Sequence, residues 1–176
     1  MIRRITLSFD DFGDKADALK QAFAQTGGLE GLAGVRQEAG VYQGRGRQSG
    51  DPVNVAEIAI VNEFGSQDGR IPSRPAFRQA FDSNVDRYER VLRDELGKVA
   101  DGTLAPEDAI DRVVLMMEGD IAQSIVDLSD PPNAPVTIAR KRSSNPLVDT
   151  GQLHQSVDSA VVRADGSIAR PWKVTG

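Results

Sequence analysis

Two long stretches of this chain carry apolar residues at helical spacing, and each needs a partner surface to cover its stripe. Phe77, Phe81, Val85, Tyr88, Leu92, Leu96 and Val99 are separated by 4, 4, 3, 4, 4 and 3 residues, close to the ~3.6-residue turn of an α-helix. Ile110, Val113, Val114, Met117, Ile121, Ile125 and Leu128 repeat the pattern downstream. Pro106-Glu107-Asp108 opens this second stretch, with proline at a first helical position and two acids facing the positive end of the helix dipole. One-sided helices joined by a short connection pair antiparallel and cover a further layer. Gly97 fits a helix poorly and predicts fraying or a bend near the end of the first. Asp86–Arg90 and Glu89–Arg93 stand four apart on the opposite face, where ion pairs add a few tenths of a kcal/mol.

Shorter signals supply the rest of the expected fold. Ile5, Leu7 and Phe9 alternate with Arg4, Thr6 and Ser8, predicting a half-buried strand over 2–9. Phe12, Ala16, Leu19 and Phe23 predict a helix ended by Gly27-Gly28. Val35, Gln37, Ala39 and Val41 predict a second strand, weakened by Gly40. Asp51-Pro52 reads as the cap of a short helix with Val55, Ile58, Ala59 and Asn62 inward, closed by Gly65. Residues 129–148 form a proline-rich connection, and loops of that length in a small domain carry function or move. The runs 157–163 and 167–174 flank an Ala164-Asp165-Gly166-Ser167 turn, a hairpin signal, with Pro171 placing the last strand at an edge. The expected class is α+β: a small antiparallel sheet of about four strands covered by two long antiparallel helices, with short helices and long loops.

Length and composition bound the function. A chain of 176 residues with 39% apolar and 27% charged residues suits one globular domain, 1–176. The absence of cysteine excludes disulfides, thiolate metal sites and a cysteine nucleophile. No apolar run approaches the ~20 residues of a membrane helix, and Asp10 and Asp11 interrupt any signal-like start. The formal charge of −5 argues against a dedicated duplex binder. That charge is uneven: residues 101–130 hold eight acids and one base, a local −7 that leaves +2 elsewhere. Basic residues gather at Arg45 and Arg47, in a glycine-rich arm over 44–50, and at Arg140-Lys141-Arg142. Both spots could touch a nucleic-acid backbone weakly, or dock on an acidic protein surface; the aromatics do not interleave with them, so base stacking is unsupported.

Leu147-Val148-Asp149-Thr150-Gly151 carries the local signature of aspartic proteases, whose chemistry needs two facing aspartates sharing a proton. With a single Asp-Thr-Gly, catalysis by Asp149 would require a dimer. The plainer reading makes Asp149 the N-cap of a short helix, Gln152 the far side of a capping box, and Gly151 the residue that permits the tight turn. His154 is the only histidine, so a serine-type triad has one possible base. The expectation is no enzymatic activity and no metal or cofactor.

Two stretches exceed generic folding signals. Asn62-Glu63-Phe64-Gly65 is followed by Ile71-Pro72-Ser73-Arg74-Pro75-Ala76-Phe77. Later come Asp130-Pro131-Pro132, Thr137-Ile138-Ala139-Arg140-Lys141 and Pro146-Leu147-Val148-Asp149-Thr150-Gly151-Gln152-Leu153. In this order, with the helix pair between them, they resemble the tail-completion or neck proteins of tailed bacteriophages over roughly Val53–Val161. Ala76 departs from the pattern, which often sets phenylalanine directly after the proline; residues 1–52 and the acidic helix lie outside it.

The resemblance implies a non-enzymatic virion protein at the head–tail junction, assembled in the host cytoplasm. It implies a homo-oligomeric ring following sixfold tail symmetry, which joins tail-terminator or tail-tube proteins to the head-side connector or adaptor around the DNA channel. DNA would pass through without specific contact, and no membrane is involved. The related tail-terminator and head-closure roles are alternatives. The motifs then read as joints: Pro72, Arg74 and Pro75 set a rigid helix start, Glu63 is a candidate partner for Arg74, and the 131–148 loop reaches a neighbouring subunit. Glu63, Arg74, Arg45, Arg47, Arg140, Lys141, Arg142 and Asp149 are the candidate interface or joint residues. In such a ring, an acidic helix facing the channel would repel DNA.

Overall fold

The computed structural model describes residues 5–35 and 53–170. Within them the order is a 3-10 segment (Phe9–Lys15), α1 (Ala16–Ala24), β1 (Leu29–Val35), α2 (Val55–Phe64), α3 (Ala76–Ala100), α4 (Pro106–Asp127), α5 (Pro135–Lys141), α6 (Gln152–Gln155), β2 (Val157–Arg163) and β3 (Ile168–Arg170). The α+β class holds, with three strands among the described residues rather than four, in the order β1-β2-β3. The arm at 44–50, with Arg45 and Arg47, lies outside the described residues, as do Asp51-Pro52 and Pro171.

The chain folds as two compact units. The first comprises the chain up to Ala33, Ser83–Glu118, and Asp158 onward; the second comprises Gly34–Asp82 and Gly119–Val157. In the first, Leu19 of α1, Leu96 and Val99 of α3 and Ala109 of α4 form a buried cluster that Leu7, Phe12, Phe23 and Leu104 extend. Fully burying one such leucine contributes about 2 kcal/mol. Glu95 of α3 meets Arg112 of α4 at 2.7 Å, and this geometry turns α4 back along α3. In the second unit, Ser124 of α4 donates to the carbonyl of Ala76 at the start of α3, and Val55, Ala76, Ile125, Leu147 and Leu153 are buried.

The expected strand over 2–9 does not form in its described part. Residues 5–8 hold no regular element, and the 3-10 segment begins at Phe9. Ser8 Oγ accepts the Asp10 N–H while the Asp11 carboxylate accepts the Ser8 N–H. This reciprocal cap satisfies donors that a strand would need for its ladder. The next strand is Leu29–Val35; of the expected Val35–Val41 strand only Val35 lies within the described residues, and Gly31 and Gly34 hide the observed strand, because glycine weakens the strand signal. Gly31 has a packing reason: a Cβ there would fall within 3 Å of Val114 and Ile110 side-chain atoms. Backbone and α4 approach too closely for a side chain.

Other boundaries shift by capping. Asn54 caps α2, accepting the Ala56 N–H while Glu57 accepts the Asn54 N–H, and Gly65 closes the helix with φ +81°. α3 runs through Gly97 to Ala100, so the expected fraying there is absent. Neither expected i, i+4 pair closes on its outer face; Arg93 instead points to Asp11 at 4.0 Å. The 129–148 connection contains α5, started by Pro135 at a first helical position. The expected hairpin forms: β2 and β3 pair antiparallel, and Asp165 Oδ1 accepts the Ser167 N–H across the turn. No helix among the described residues is long and apolar enough to cross a membrane.

A candidate structural joint in the second unit

Glu63 sits on the last turn of α2, four residues after Ala59, on the face that Val55 begins. Its carboxylate accepts the backbone N–H of Phe77 at 3.0 Å and of Arg78 at 3.1 Å. It thus takes two of the four orphan donors at the start of α3 and sets a negative charge against the helix dipole. Arg78 Nε closes the arrangement at 2.9 Å. Ser73 Oγ donates to the Glu63 carbonyl, and the Arg74 N–H donates to the Asn62 carbonyl. The Asn62–Gly65 and Ile71–Phe77 motifs therefore meet as one corner between α2 and α3.

Arg74 does not pair with Glu63. Its guanidinium turns to the proline-rich connection: Nε donates to the Pro131 carbonyl at 2.9 Å, and Nη2 to the Pro132 carbonyl at 3.1 Å and Asn133 Oδ1 at 3.4 Å. The planar fork of arginine suits divergent carbonyls, whereas the Glu63 oxygens already face α3. Burial lowers the Arg74 pKa from its ordinary value.

Lys141, at the end of α5, donates to the carbonyls of Asn145 and Pro146, both at 3.1 Å. Burial pushes its pKa below the ordinary lysine value; the Asp149 carboxylate opposes this, and the Arg74 and Arg140 charges add to it. Lys141 is thus separated from its neighbours in the basic triplet. It is buried, while Arg140 and Arg142 are exposed, with Arg142 ending α5 in the left-handed region at φ +56°.

Asn133 and Asn145 complete the joint. Asn133 Nδ2 donates to the Asn145 carbonyl. Asn145 Oδ1 accepts the N–H groups of Leu147 and Val148, and its Nδ2 donates to Val126 of α4. Arg78, Asn133 and Asn145 were not singled out from the sequence. Asn145-Pro146 did carry a turn signal, because asparagine side chains bond backbone a few residues on.

The Asp149 region also differs from expectation. Gly151, at φ +83°, is the N-cap of α6, without a side-chain cap, and Thr150 Oγ1 accepts the Gln152 N–H at 3.4 Å. The glycine's predicted role holds; the cap position predicted for Asp149 moves to Gly151. Asp149-Thr150-Gly151 leads directly into a helix.

In the first unit, the acidic stretch is less uniform than its charge count suggests. Asp101 pairs with Lys15 at 2.8 Å and Glu107 with Arg163 at 3.6 Å, while Asp108 pairs with Arg170. Glu118 is buried and accepts from Ser159 Oγ at 2.7 Å. An unbroken acidic wall along α4 is therefore not present. Among the described residues no group of three or more His, Asp or Glu side chains is placed to hold a metal ion.

No known protein family, characterised protein or solved structure matches the chain.

Proposed function

We propose that the protein is a structural component of the head–tail junction of a tailed bacteriophage, which forms a ring that joins the tail to the head-side connector. The observation that carries this reading is the convergence of the four motif segments. Glu63 and Arg74 from the first two segments, the Pro131–Asn133 and Lys141 region from the third, and Asn145–Pro146 leading into the fourth are tied by one set of hydrogen bonds. The segments that resemble the neck family thus act together, as parts of a common scaffold would. They hold α2, α3 and α5 in fixed relation through buried polar contacts rather than presenting chemistry to a substrate. Groups that α5 presents to a partner include Val136, 76% exposed, and the exposed Arg140 and Arg142 at its other end.

The test is assembly. The purified protein, imaged by negative stain and weighed by native mass spectrometry, should give closed rings alone or with the adjoining tail and connector proteins. Arg140→Glu with Arg142→Glu should keep the fold, since exposed substitutions change stability by about 0.5 kcal/mol or less, yet abolish ring or junction formation. A chain that remains monomeric in every mixture overturns the proposal.

A further inference from the structure

The joint concentrates positive charge inside the second unit. Arg74 is 6% and Lys141 8% exposed, and among the described residues no carboxylate stands within ion-pair distance of either. An arginine offers five N–H donors and a lysine three. Arg74 uses its Nε and Nη2 groups on Pro131, Pro132 and Asn133, which leaves the two N–H groups of Nη1. Lys141 uses two on Asn145 and Pro146, which leaves one. Asn133 links the two cations: its Oδ1 accepts from Arg74, and its Nδ2 donates to the Asn145 carbonyl that Lys141 also reaches. One amide and one carbonyl separate them. Arg140 brings a third positive charge toward Lys141, and Asp149 is the carboxylate that offsets it.

Carbonyl dipoles solvate a buried cation but carry no counter-charge, and two desolvated cations this close repel. An added anion relieves both effects at once, and charge-assisted bonds to its oxygens are the strongest available to these donors. We infer that Arg74 and Lys141, bridged by Asn133, form a binding site for an oxyanion, a carboxylate or phosphate group held by the N–H groups these two side chains retain. The inference does not depend on ring formation, because every group belongs to one chain.

The experiment uses the full-length protein labelled with nitrogen-15. The arginine Nε–H signals and the melting temperature are followed as sodium phosphate or sodium acetate replaces sodium chloride at constant ionic strength and pH. The expected result is a saturable shift of the Arg74 signal, identified by its loss in Arg74→Lys, with a melting temperature raised by about 4 °C or more near saturation. A response to phosphate alone assigns a phosphate group; a response to acetate as well assigns a carboxylate site, the form an acidic partner side chain would fill. Lys141→Met should weaken the anion affinity at least tenfold. Arg140→Gln, exposed and outside the hydrogen-bonded joint, should weaken it about threefold while folding normally. Equal behaviour in phosphate, acetate and chloride overturns the inference, as does an unchanged affinity in Arg140→Gln and in any folded Lys141→Met.

Discussion

Arg78 holds both the side chain and the backbone of Glu63: its Nε reaches the Glu63 carboxylate at 2.9 Å, and its Nη2 reaches the Glu63 carbonyl at 3.0 Å. A residue on the first turn of one helix thereby fastens the last turn of another. Glu63 in turn caps the helix that carries Arg78, so each of the two helices holds the end of the other.

Removing the carboxylate should expose this reciprocity. Glu63→Ala leaves two helix donors and the Arg78 Nε–H without their acceptor, and should lower stability by about 2–4 kcal/mol. Glu63→Gln keeps one acceptor and should cost about 1–2 kcal/mol. Urea unfolding measures both; values within 0.5 kcal/mol of the parent would contradict the capping role.

Two glycines of β1 should respond oppositely to the same substitution. Gly31→Ala forces a methyl into Val114 and Ile110, and overpacking of this kind costs about 1–3 kcal/mol. Gly34→Ala meets no atom within 4 Å and should be neutral or mildly stabilising, because alanine narrows the unfolded ensemble. Equal losses at both positions would mean that backbone conformation, not the approach of α4, selects glycine.

The long elements were legible in the sequence because a stripe of seven residues leaves little room for another periodicity. α3 and α4 begin within a residue of their expected starts. The joint was legible only in part. Glu63 and Arg74 were recognisable as neighbours in a motif, but sequence offers no means to decide between two partners when Arg78 stands four residues beyond Arg74. Lys141 looked like one of three solvated bases, since a triplet of like charges shows no burial pattern. The expected strand is absent over residues 5–8 because the Ser8–Asp11 cap, a local polar bond, outcompetes a weak period there.

Acid should weaken the contact between α3 and α4 in the first unit. The Glu95 carboxyl is held below its ordinary value chiefly by the hydrogen bond from Lys98, with burial working against this and the Arg112 charge assisting. In the interval between its folded value and about 4.3, the unfolded chain binds more protons, so stability falls as pH falls. The difference between the parent and Glu95→Gln, measured by unfolding from pH 7 to 3, should shrink below about pH 4.3. A difference constant across that range would remove Glu95 from the acid response.

Lys141 should act at the other end of the scale. Burial depresses its pKa, so between the folded value and about 10.4 the unfolded chain again binds more protons. Stability then rises with pH in that interval. The parent should gain on Lys141→Met as pH rises toward 10, a trend readable from parallel unfolding curves. A parent that loses ground over the same range would show that the lysine is not desolvated.

The division into two units has a consequence for how this chain can change. Each unit is assembled from separated segments, and two of the passages between them fall inside α3 and α4. No single stretch can be excised, duplicated or transplanted as a module. Insertions that respect the fold are confined to the connections, and any recombination point within residues 76–127 splits both units together.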